Sequence, residues 1–66
     1  MTPHRPTPRQ EQVAALLCDG LPDKEIAALL GIRPATVTSH VHGLRVRLGA
    51  DSRVQAVVLW DRGRRG

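Results

Sequence analysis

A chain of 66 residues is one domain at most, and it can bury only a modest core. Its single cysteine, Cys18, excludes an internal disulfide, and no Cys/His cluster has zinc spacing, so a core must come from the aliphatic residues that dominate its 41% hydrophobic content. No apolar run could span a bilayer or form a signal-peptide core, and a net charge of +4, with Arg supplying nine of ten basic residues, favours an anionic partner.

Residues 1–6 hold Pro3, Pro6, His4 and Arg5 without an apolar period, and read as a disordered arm or linker remnant. The first helix is expected over about 8–19. Thr7 suits the N-cap, Pro8 the first turn, and Gln10 completes a capping box. Val13, Leu16 and Leu17 make its apolar stripe, and Gly20 stops it. The second helix is expected over 23–30, with Ile26, Leu29 and Leu30 on one face, Asp23 placed to cap it, and Gly31 at its end. Ile32 is an apolar residue in the tight turn that follows.

The third helix is expected over 34–48. Val37, Val41, Leu44 and Leu48 recur at i, i+4, i+7 and i+11, one continuous stripe that Gly49 ends. The fourth is expected over 52–62, with a second capping box from Ser52 and Gln55 and a stop at Gly63. It has two apolar faces: Val54, Val57 and Val58 on one, Ala56, Leu59 and Trp60 roughly opposite. Residues 63–66 read as a frayed basic tail. The local abundance of Val favours strands, but helical spacing and caps override it. The fold class is all-α, a compact four-helix domain occupying residues 7–62.

Helices two and three, joined by a glycine-containing turn, have the outline of a helix-turn-helix. Such a unit needs a recognition helix with one apolar face and an opposite face of short or adaptable polar side chains. At about 100° per residue, Ala35, Ser39, His42 and Val46 lie opposite the apolar stripe of helix three. Thr38 and Gly43 flank them, while Thr36 and His40 fall nearer its edge. No acidic residue occurs from Pro34 to Ala50, where a carboxylate would be repelled by phosphates.

With these elements in place, the chain resembles the LuxR/FixJ (GerE-type) helix-turn-helix DNA-binding domain of bacterial transcription regulators. The resemblance rests on Thr7-Pro8-Arg9, Gly20-Leu21, Lys24-Glu25-Ile26-Ala27, Leu30-Gly31-Ile32, Thr36-Val37, His40-Val41, Leu48-Gly49, Ser52-Arg53 and Gln55-Ala56-Val57. It implies sequence-specific binding of double-stranded DNA by an output module, with the third helix in the major groove and the fourth in a dimer contact on an inverted repeat. By that resemblance Thr38, Ser39 and His42 face bases, and Lys24, Thr36, His40, Arg45 and Arg47 sit near phosphates. Ala56, Leu59 and Trp60 are assigned to the dimer interface, the reading of Trp60 preferred over a core position. The implied partners are DNA, a second copy and RNA polymerase, and the implied location is the bacterial cytoplasm at the nucleoid. The chain departs from the family pattern at Pro22 and Arg33, where Ser or Thr often caps a helix, and at Thr38 and Ser39, where Lys and Asn are common.

Two other functions compete. A promoter-binding module like the fourth region of a sigma factor also ends in a helix-turn-helix, but the capped fourth helix argues against it. A protein-binding adaptor would use the Ala56, Leu59 and Trp60 face. No cofactor, metal, membrane or small-molecule ligand is expected. His40 and His42 point about 200° apart on a helix and cannot chelate one ion. Cys18 reads as a small core or boundary residue rather than a nucleophile, and nothing else has the spacing of an enzyme site.

Overall fold

The computed structural model describes residues 5–65, so residues 1–4 of the arm expected over 1–6, and the tail's final residue, Gly66, lie outside the described residues. Four helices follow one another: α1 (Pro8–Cys18), α2 (Asp23–Leu30), α3 (Pro34–Leu48) and α4 (Arg53–Arg65). Among the described residues there is no strand, and no helix is long and apolar enough to cross a membrane.

The start of α1 is built as its sequence dictates. Thr7 is extended, its hydroxyl accepts from the Gln10 amide at 3.2 Å, and Gln10 Oε1 accepts from the Thr7 amide at 3.0 Å. Gln10 then lies buried against α3, and a Cβ at Gly43 would stand 2.5 Å from its Nε2. Gly43 is therefore where α3 approaches α1, not part of the outer face of α3 as its helical angle suggested.

Helices α1, α2 and α3 end by one device. The amide of an apolar residue just past a glycine reaches back to a carbonyl five residues earlier: Leu21 to Leu16, Ile32 to Ala27, Ala50 to Arg45. This Schellman geometry needs a left-handed residue, and Gly31 (φ 68°) and Gly49 (φ 67°) provide it without a Cβ penalty. The apolar residue then folds onto the core, which explains why Ile32 sits in a tight turn.

Two clusters form the core, and α3 packs against all three other helices. Val13, Ile26, Ala27, Val37 and Val41 join α1, α2 and α3. Ala14, Leu44, Ala56 and Trp60 join α1, α3 and α4. Ile26, Leu44, Val13 and Val37 are the largest fully buried side chains, each worth about 1.5–3 kcal/mol of burial.

Five further expectations are corrected. Leu29 is 65% exposed, and the inner face of α2 is Ile26, Ala27 and Leu30. Cys18 is exposed at the end of α1. Asp23 does not cap α2: the helix begins after Pro22 with no side-chain cap, and the Asp23 carboxylate turns to Arg53 instead. Gly63 does not stop α4, which runs to Arg65, with Arg64 and Arg65 both donating to Asp61 one turn back. These pairs brace the turn across a residue that costs about 1 kcal/mol in a helix.

The fifth correction concerns the two faces of α4. Ala56 (0% exposed) and Trp60 (8%) face inward against Ala14 and Leu44. Leu59 is half-buried at their margin. The face assigned to a dimer is the one that fastens α4 to its own domain. Val54 (73%) and Val58 (41%) are the apolar residues left in solvent.

Candidate nucleic-acid interface

The buried stripe of α3 fixes what its opposite side presents. With Val37, Val41 and Leu44 inside, Ala35, Thr38, Ser39, His42 and Val46 are all exposed. Arg33 holds the N-cap position of α3 in extended conformation and makes no side-chain cap, and Pro34 opens the helix. Thr38 and Ser39 turn their hydroxyls back to the carbonyls of Pro34 (3.3 Å) and Ala35 (3.2 Å). Each hydroxyl spends its proton on the helix and keeps acceptor capacity toward solvent. His42 stands one turn beyond them, exposed.

The residues expected near phosphates are dispersed around this face. Lys24 is exposed on α2, while Thr36 and His40 are half-buried along one edge of α3. Arg47, on that same edge, donates to the Arg5 carbonyl at 3.1 Å. Arg45 lies on the other edge and donates to the Asp51 carbonyl at 3.1 Å, while its Nε is buried without a partner. Both guanidiniums thus sit half-buried on backbone carbonyls, on opposite flanks of the helix, with protons left over for an anion.

Thr38, His42 and Arg45 share a shallow depression of about 320 Å³ with Val41, Asp51, Ser52 and Arg53. Arg53 grips the Asp23 carboxylate with both terminal nitrogens, one at 3.2 Å, and so ties the start of α4 to the start of α2. The Ser52 hydroxyl accepts from the Gln55 amide at 3.1 Å, and the Gln55 side chain accepts from the Asp51 amide. The Ser52 half of the expected capping box of α4 is therefore present, while the return bond of Gln55 goes to Asp51, one residue before the cap. Sequence reasoning missed Arg53 and Asp51 as neighbours of this face. The only signal for Arg53 was its place in the Ser52-Arg53 motif, because its partner is 30 residues away.

Two groups elsewhere have shifted titration. Partial burial of Cys18, reinforced by the Asp61 carboxylate, pushes its thiol up, so it stays protonated at neutral pH. Desolvation pushes the Asp61 carboxyl up, but hydrogen bonds from Arg65 and Arg64 outweigh it and hold the group below its ordinary value. Among the described residues no group of three or more His, Cys, Asp or Glu side chains could hold a metal ion.

A family model described as bacterial regulatory proteins, luxR family, matches residues 7–60. The chain is 41% identical over 51 residues to a Mycobacterium tuberculosis protein named as a candidate HTH-type transcriptional regulator, covering 77% of this chain and 6% of that protein. It is 40% identical over 52 residues to the nitrate/nitrite response regulator protein NarL of Escherichia coli, covering 79% of this chain and 24% of that one. To the transcriptional regulatory protein UhpA of the same organism it is 45% identical over 49 residues, covering 74% and 25%. The chain thus spans a quarter or less of the length of these relatives. No solved structure matches it.

Proposed function

Because this chain belongs to the luxR family of bacterial regulatory proteins over residues 7–60, we propose that it serves as the output module of a transcription regulator and reads double-stranded DNA with α3 in the major groove. DNA binding in transcription regulation comes with the family. The observation that carries the finer reading is the exposed, carboxylate-free face of α3, held outward by the buried stripe behind it. Thr38, Ser39 and His42 are the base-reading residues on this reading. Their side chains are short or planar and can accept or donate at base edges. Lys24, Thr36, His40, Arg45 and Arg47 flank them and serve the phosphates, which set register and salt dependence.

The dimer contact falls to the outward face of α4. Val54 and Val58, with Val57 and Leu17, line an open apolar depression of about 280 Å³ beside Arg53. Two copies joined there would present their α3 helices to half-sites about one DNA turn apart, roughly 34 Å.

Selection of bound sequences from a random DNA pool tests the reading, followed by titration of the selected operator. Ser39→Glu and His42→Glu place a carboxylate on an exposed position, so the fold survives and specific binding is lost. Unchanged operator affinity in both variants would sink the assignment of this face.

A further inference from the structure

The outer face of α3 has an aliphatic residue that the polar reading does not use. Val46 is 66% exposed, yet it lies one turn beyond His42 and two turns beyond Ser39 on the same side of the helix. Its neighbours in sequence, Arg45 and Arg47, are the two long side chains able to cover it. Neither does, because each is drawn to its own flank by a backbone carbonyl, Asp51 for one and Arg5 for the other. Val46 is left at the centre of the face, mostly in water, with an arginine on each side.

We propose that Val46 is a specificity-determining residue that takes the C5-methyl group of a thymine in the major groove. The proposal rests on the reading of α3 as the recognition helix. In that groove, hydrogen-bond donors and acceptors face polar side chains, and the thymine methyl is the one apolar feature a base pair offers. A branched aliphatic side chain has no other favourable contact there. The distances fit: Ser39 to Val46 is seven residues, about 10 Å along the helix. That equals about three base-pair steps at 3.4 Å each. Val46 thus meets a base pair about three steps from the one at Ser39, still within one half-site. The guanidiniums of Arg45 and Arg47 stand toward the two walls of the groove and hold the helix over that pair.

Deoxyuridine substitution isolates the methyl, because uracil keeps every hydrogen-bonding group of thymine. Each thymine of the selected operator is replaced in turn, and binding of the wild-type chain and of Val46→Ala is measured. Losing one buried methyl contact weakens wild-type binding about fourfold, the equivalent of ~0.8 kcal/mol. The expected result is one such position per half-site, at which Val46→Ala no longer distinguishes thymine from uracil while it still distinguishes them elsewhere. If the operator is bound but no position shows this dependence on Val46, the assignment of Val46 is overturned and the recognition face stands. Failure to select any operator overturns both.

Discussion

Replacing Trp60 with alanine separates two roles for the one aromatic side chain of the molecule. If Trp60 holds α4 to the domain, the change opens a void between α1, α3 and α4, because the indole is 8% exposed and packs in the cluster of Ala14, Leu44 and Ala56. Truncating a buried Trp to Ala costs about 3–5 kcal/mol. One detail places this site toward the lower end. The indole Nε1 is buried without a hydrogen-bond partner, so part of the benefit of burial is already offset. The cation–π contact from Arg64, 4.6 Å from the ring centre, is at the surface and adds at most about 1 kcal/mol. A domain of this size has a total stability of about 3–10 kcal/mol, so a loss near 3 kcal/mol consumes much of it. With a urea m-value near 1 kcal/mol/M, the unfolding midpoint falls by about 3 M. Circular dichroism at 222 nm follows both proteins, and in the wild type the fluorescence of Trp60 reports the same transition from inside the core. Trp60→Phe keeps most of the apolar surface, removes the unpartnered N–H, and loses less than Trp60→Ala. A Trp60→Ala variant with an unchanged midpoint, but a weakened dimer on DNA, would refute the core assignment and restore the interface role.

Three further outcomes are expected. Thr7→Ala removes the hydroxyl that accepts from the Gln10 amide, one of the two hydrogen bonds of the capping box, and lowers stability by about 1 kcal/mol, a fall of roughly 4–8 °C in thermal midpoint for a domain this small; an unchanged midpoint would show that hydroxyl to be idle. Arg33→Ser supplies the cap that α3 lacks at a position already extended (φ −83°, ψ 151°), and raises stability by about 0.5–2 kcal/mol in the same assay. The third concerns pH. Asp61 has its carboxyl held below the ordinary value by Arg65 and Arg64, so its stabilising effect is complete above the usual carboxylate pKa and is lost as pH falls through the lowered one. Amide exchange at Gly63, Arg64 and Arg65 therefore accelerates relative to the core in acid, and Asp61→Asn shows the faster exchange already at neutral pH. Equal protection in the variant and wild type would discount the pairs.

Local rules determined most of this fold. The Thr7–Gln10 box, the spacing of Val37, Val41 and Leu44, and the glycines at 31 and 49 act over one or two turns. Their consequences can be read from neighbouring residues because helical period and cap chemistry are local. The outward set of α3 follows from the same stripe, so Thr38, Ser39 and His42 were legible as an exposed face.

What the tertiary structure decided is which of two equivalent local options is used. Helix α4 offers two apolar faces of similar hydrophobicity, and its own sequence does not rank them. The choice is made across the core, where Ala14 and Leu44 leave room for Ala56 and Trp60 and so turn Val54 and Val58 outward. Leu29 and Leu30 are adjacent apolar residues, but only Leu30 meets the packed cluster. Gly43 looked like part of the outer face until Gln10, 33 positions earlier, came within contact distance of it. Arg45 and Arg47 were legible as basic residues on the third helix, whereas Arg53 was not legible as a neighbour of its outer face. That Arg45 and Arg47 lean to opposite flanks and leave Val46 bare depended on Asp51 and Arg5, which only the folded chain brings to them. Periodicity fixes the angle at which a side chain leaves its helix, but burial and pairing depend on what the rest of the chain places at that angle.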